Sequence, residues 1–129
     1  MAQSEVSKPN MAVWFELPVR DFARAKRFYE TVFSVQLTDE RMGDYVMALF
    51  PHAGQAVSGC VISGPGYAPA ADGAVVYLNA GPDLAAPLAR VEAAGGKVAL
   101  PKTFLSEEVG YYAHFIDSEG NRVGMHSQH

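Results

Sequence analysis

One pattern occurs twice in this chain: a β-like run, an aspartate placed to cap a helix, an amphipathic helix, then three short β-like runs. A repeat of that kind restricts the fold before composition is considered, because each copy must bury one helix stripe on one sheet. In the first copy, residues 13–19 (VWFELPV) alternate so that Phe15 and Leu17 share one face and Trp14 and Glu16 the other, the period of a half-buried strand. Asp21 stands at the N-cap position. Phe22, Ala25, Tyr29, Val32 and Phe33 follow at three- and four-residue spacing, with Arg24, Lys26, Arg27 and Glu30 outward. Strands are predicted at residues 35–38, 45–50 and 57–62. In the second copy a strand is predicted at 75–80, a cap at Asp83, a helix over 84–94 closed by Gly95-Gly96, and strands at 97–100, 111–116 and 122–126. The last two are joined by Asp117, Ser118, Glu119, Gly120 and Asn121, which have hairpin-loop chemistry.

The expected fold class is therefore α+β: two tandem βαβββ modules forming a curved mixed sheet, a half-barrel, around a shared cavity. With 129 residues there is room for one such domain. Residues 1–10 read as a flexible leader, 11–63 as the first module, 64–73 as a turn-rich linker with the makings of a lid, and 74–127 as the second module. The longest uncharged stretch, 45–71, is broken by Gly and Pro and does not read as a membrane span. A net charge of -4 with scattered Lys and Arg argues against nucleic acid and membrane surfaces and favours a small-molecule ligand. Cys60 is the single cysteine, so no internal disulfide forms and a cytoplasmic location is the default.

The order and spacing of several segments carry a resemblance. They are Leu17-Pro18-Val19-Arg20-Asp21 with Phe28-Tyr29, Val76-Tyr77-Leu78-Asn79, the stretch from Leu88 through Gly95-Gly96 to Val98, and the closing run from Phe115 to Ser127. Together they resemble the vicinal oxygen chelate superfamily, which includes glyoxalase I, bleomycin-resistance proteins and extradiol dioxygenases, and in particular its bacterial glyoxalase-like proteins of unassigned activity. The resemblance implies a homodimer, and in metal-dependent members a divalent ion held by His or Glu on the first and last strands of each module. The matching positions here are Trp14, a site near Ser58, Val75 (or Val76 or Ala74 if shifted by one), and Gly124. None is a competent ligand, so no cofactor is expected.

Other polar groups share those faces. If Trp14 faces the cavity so does Glu16, and if Gly124 does so do Arg122 and His126; Tyr77 is the counterpart of Glu16. On the seventh strand either Tyr112 and His114 or Tyr111, Ala113 and Phe115 point inward. The expected ligand-binding set is Trp14, Glu16, Tyr77, Tyr112, His114, Arg122 and His126. Glu16 reads either as an acid-base group or as a carboxylate paired with Arg122 or a lysine, and Arg122 as an anion anchor or a solvent-facing charge. Asp21 and Asp83 read as caps, Cys60 as a small buried residue, and His52 and His129 as loop and tail residues. Three functions are open: a binder of a small organic molecule, as in bleomycin-resistance proteins; a lyase or isomerase with Glu16 or His114 as general base; and a metal enzyme with ligands relocated to Glu16, His114 and His126. Gly64-Pro65-Gly66 lacks the helix and lysine of a phosphate loop, and no nucleophile elbow is present.

Overall fold

In the computed structural model, which describes residues 10–54 and 56–129, the two copies of the repeat make two four-stranded mixed sheets. The first contains β1 (Trp14–Pro18), β2 (Thr38–Met42), β3 (Tyr45–Leu49) and β4 (Ser58–Ser63) in the order β1-β4-β3-β2. The second contains β5 (Tyr77–Asn79), β6 (Lys97–Ser106), β7 (Gly110–Ile116) and β8 (Arg122–Ser127) in the order β5-β8-β7-β6. In each sheet the first strand runs parallel to the last and the other pairs are antiparallel. Helix α1 (Phe22–Phe33) starts at Asp21, whose carboxylate accepts from Arg24 N, and ends at Ser34 in the left-handed conformation. The leader falls outside the described residues except for Asn10, which is exposed.

The modules are not independent layers. Phe28 and Tyr29 of α1, both essentially buried, pack on Phe115 of β7 in the other module, with ring centroids 5.9 and 6.3 Å apart. Val123, Met125 and Ala113 of the second sheet belong to the same cluster as Leu17, Val61 and Ala48 of the first. Burying each of the three aromatic rings contributes about 2–3 kcal/mol, so this main core is shared between the modules.

Several element boundaries differ from expectation. The strand expected at 35–38 lies at Thr38–Met42, because Leu37 turns inward to be buried while TDERM forms an exposed edge with no apolar alternation. The helix expected over 84–94 is regular only across α2 (Ala85–Leu88). Pro87 offers no N–H, and beyond it the bonds slip to three-residue spacing, Arg90 N to Pro87 O and Val91 N to Leu88 O. The residue flanking α2 is Leu84 instead of Asp83, although Asp83 Oδ1 still accepts from Ala85 N at 2.9 Å and from Lys102 Nζ at 2.9 Å. The fifth strand is reduced to Tyr77–Asn79. The sixth runs ten residues through Pro101, which an edge strand with register shifts tolerates. Nor is the linker loose: Tyr67 is half-buried against Tyr45, and Ala70 N donates to Asn121 Oδ1 at 3.0 Å.

The loop between β7 and β8 ties the modules together. Glu119 is buried and accepts from Arg20 N and Asp21 N at 2.9 Å each, and from Arg24 Nε at 2.7 Å and Nη2 at 3.1 Å. Burial opposes its ionisation, but the Arg24 hydrogen bond and then the backbone N–H groups of Asp21 and Arg20 outweigh it and hold the carboxyl down to about 2 from its ordinary 4.5. The unfolded chain thus binds this proton more readily, and the group's contribution of about 3 kcal/mol is complete above about pH 5 and lost as pH falls toward 2. The urea midpoint is expected to drop across that window, and Glu119→Gln to lower the midpoint at pH 7 while flattening the drop. An equally steep acid drop in the variant would contradict this assignment.

Candidate functional site

Strand pairing aligns the second sheet's side chains in rows. Tyr77 of β5 stands opposite Gly124 of β8, which stands opposite His114 of β7; in the next row Asn79, His126 and Tyr112 are aligned. This settles the face of the seventh strand. Ala113 and Phe115 are fully buried in the core beneath α1, and Tyr111 packs against that core, so Tyr112 and His114 lie on the opposite, helix-free face with Tyr77. The Tyr77 ring crosses over Gly124 to reach His114. A Cβ at Gly124 would lie 2.5 Å from Tyr77 Cδ2 and 2.6 Å from Cε2, so only glycine leaves the ring its place.

Tyr77, Tyr112 and His114 form a cluster of rings with centroids 5.3 to 6.3 Å apart. Arg122 Nη1 lies 2.9 Å from His114 Nδ1, and Tyr77 Oη lies 2.5 Å from His114 Nε2. A guanidinium can only donate, so His114 Nδ1 accepts, the ring is neutral, and its proton sits on Nε2, donating to Tyr77 Oη. Burial, and then the Arg122 charge, lower the His114 pKa, in agreement with a neutral ring. Beside this cluster a cavity of about 470 Å³ is lined by Tyr77, Tyr112, His126, Leu105 and Val109. His126 Nε2–H donates to Val109 O at 2.5 Å, which fixes that ring against the cavity wall. Leu105 and Val109, half exposed, were not expected as lining residues, because they sit where β6 turns into β7, beyond the predicted strands.

The first sheet contributes less. Glu16 Oε1 accepts from Tyr67 Oη at 2.5 Å, a partner on the linker that no spacing in the sequence announces. It is not paired with Arg122, whose guanidinium is engaged by His114. Burial, and then the charge of Glu16, push the Cys60 thiol up to about 11, so Cys60 is a buried thiol without thiolate character. Trp14 lines a second cavity, about 580 Å³, between β1 and β5, together with Phe15, Phe33, Phe50, Val75 and Tyr77. That larger cleft has no charged or imidazole side chain in its lining, so the polar chemistry lies with the second sheet. Of the seven expected residues, then, Tyr77, Tyr112, His114, Arg122 and His126 come together, Trp14 meets the group only through Tyr77, and Glu16 stands apart.

The positions where the resemblance implies metal ligands do not fit a divalent ion. Trp14 offers an indole and Val75 an aliphatic side chain; the Ser58 hydroxyl donates to Phe50 O at 3.0 Å, and the space a side chain at Gly124 would need is filled by the Tyr77 ring. Among the described residues no group of three or more His, Cys, Asp or Glu is arranged to hold a metal ion. None of the described helices is long and apolar enough to cross a membrane.

Residues 12–48 match the family described as Bleomycin resistance protein-like N-terminal. No curated protein matches the chain. Among solved structures, it is similar to a glyoxylase/bleomycin resistance protein/dioxygenase domain from Frankia sp. EAN1pec, with TM-score 0.69 and 15% identity over 93% of this chain and 98% of that one. It is also similar to a glyoxalase/bleomycin resistance protein from Albidiferax ferrireducens T118, with TM-score 0.64 and 18% identity over 90% and 97%. For glyoxalase I from Zea mays the TM-score is 0.66 with 20% identity over 90% of this chain but only 45% of the maize protein, so the chain spans about half of that enzyme. The fold is that of the vicinal oxygen chelate superfamily, as the repeat and its motifs led us to expect.

Proposed function

We propose that this chain, carrying the vicinal oxygen chelate fold, binds a small organic molecule on the helix-free face of its second sheet and does so without a divalent metal centre. The observation that supports this reading best is the aromatic and aliphatic cavity of about 470 Å³ beside the Tyr77–His114–Arg122 cluster. A volume of that size suits a molecule of one or two rings. The two groups considered as general bases already have partners, His114 on both ring nitrogens and Glu16 on Tyr67, which favours binding over proton abstraction. The names of the solved neighbours, glyoxalase and bleomycin resistance, accord with a small-molecule ligand. A reducing cytoplasm, which the lone buried Cys60 suits, and a homodimer complete the proposal. Light scattering at micromolar concentration tests the dimer, and a single-chain mass would contradict it.

A thermal-shift screen with aromatic antibiotics, 2-oxo acids and thioesters, run with and without a chelator, tests the function. The expected outcome is stabilisation by aromatic compounds that the chelator leaves unchanged, with no turnover. Turnover that Glu16→Gln abolishes would favour the lyase or isomerase reading. Stoichiometric zinc, nickel or iron held through Glu16, His114 and His126 would favour a metal enzyme.

A further inference from the structure

The hydrogen bonds around His114 constrain where one further proton goes. Arg122 donates to Nδ1, so Nε2 carries the ring proton and donates it to Tyr77 Oη. The phenolic oxygen is thereby an acceptor toward His114, and its own O–H has no acceptor among the described residues. Had the Tyr77 hydroxyl donated to Nε2 instead, Nδ1–H would face an Arg122 N–H, two donors at 2.9 Å. The Tyr77 ring is 48% exposed and lines the cavity that Tyr112, Leu105 and Val109 wall with apolar surface. Its position is fixed from below by Gly124, since any side chain there would displace it.

We propose that the Tyr77 hydroxyl is a pre-aimed hydrogen-bond donor, so that the site selects molecules bearing an accepting or anionic oxygen on an aromatic body. This deepens the binding reading above and rests on it. Two features strengthen the donor. A hydroxyl whose oxygen already accepts a hydrogen bond is polarised toward donation, and the relay from Arg122 through His114 to Tyr77 is such a chain. The donor also needs no reordering to meet a ligand, since His114 holds the oxygen and Gly124 seats the ring. Tyr77 in this view touches the ligand, while His114 and Arg122 are positioning residues that fix the direction of its proton.

The probe pair is 4-nitrophenolate and nitrobenzene, which share an aromatic nitro body and differ in the phenolic oxygen. Wild-type protein is expected to bind the phenolate at least about tenfold more tightly than nitrobenzene, the size of one hydrogen bond to a charged oxygen. Tyr77→Phe is expected to erase that preference, weakening phenolate binding at least about tenfold more than nitrobenzene binding, in a variant that still melts cooperatively. Nitrogen-15 NMR of the ligand-free protein is expected to show His114 as the neutral tautomer with its proton on Nε2. Equal binding of both probes to wild type would overturn the donor proposal and leave the cavity reading standing. Failure of both probes to bind would count against the cavity reading itself, and the NMR result then still decides the proton's place. A His114 proton on Nδ1, or a doubly protonated ring at neutral pH, would overturn the proposal whatever the probes do.

Discussion

Asp117→Ala is expected to remove about 3–5 kcal/mol of stability, a large loss for a single polar truncation. The buried Asp117 carboxylate is the acceptor for four donors: Tyr29 Oη at 2.6 Å, the backbone N–H groups of Glu119 and Asn121 at 2.9 Å each, and Asn121 Nδ2 at 3.1 Å. Removing it strands the Tyr29 hydroxyl in a fully buried site and frees the loop whose Asn121 also donates to Pro18 O and accepts from Ala70 N. Both the α1 contact and the linker contact then weaken together. For a chain of this length the loss corresponds to roughly 10–20 °C in melting temperature. Tyr29→Phe, which leaves Asp117 three of its donors, is expected to cost about 1 kcal/mol. Urea titrations of the two variants against wild type check both values; a loss below 1 kcal/mol for Asp117→Ala would mean that the loop does not tie the modules as described.

The second large effect concerns binding. Gly124→Ala places a methyl group 2.5 Å from the Tyr77 ring, closer than carbon atoms can stand, and something must yield. The ring is half exposed and swings off the strand, breaking its contact with His114 and opening the wall of the cavity. Affinity for 4-nitrophenolate is expected to fall by at least about tenfold, as one hydrogen bond and one aromatic wall are lost, while stability changes by less than about 1 kcal/mol. Gly59→Ala is the informative contrast. A Cβ there would meet both the Phe15 ring and the Phe15 backbone oxygen at 2.4 Å, and the backbone cannot swing away. That variant is expected to lose stability first and binding only as a consequence. Isothermal titration and thermal melts on both variants separate the cases, and unimpaired phenolate binding by Gly124→Ala would show that Tyr77 is not part of the site.

Much of the architecture was legible because half-buried elements advertise themselves. The strand Trp14–Pro18 and the helix Phe22–Phe33 each place one apolar face on the core, and their periods survive in the sequence. The edge strands β2 and β6 carry no such signal. TDERM in β2 is exposed at every residue, and β6 passes through Pro101 with three register shifts, so the bounds of β2 and the far end of β6 were not readable, although β6 starts at Lys97 as expected. The second helix kept its apolar spacing but lost its regular bonding to Pro87, a local backbone effect that periodicity does not see. Within the site, the residue types were visible but their grouping was not. Seventh-strand residues Tyr111, Tyr112 and Phe115 are large and apolar on both faces, so the inward one had to come from pairing with β8. Glu16 and Arg122 have complementary charges and sit on different sheets, where other partners, Tyr67 and His114, are nearer. Gly124 reads in the sequence as a missing ligand; in the fold it is the seat of an aromatic ring.

The central claim is that the ligand site is the cavity beside Tyr77, and a crystal structure of the complex with 4-nitrophenolate tests it most directly. The expected result is the nitrophenyl ring between Tyr77, Tyr112, Leu105 and Val109, with the phenolate oxygen within hydrogen-bond distance of Tyr77 Oη and no metal ion in contact. The ring lodged in the cleft between β1 and β5 beside Trp14, or its oxygen held by a metal ion, would contradict the claim.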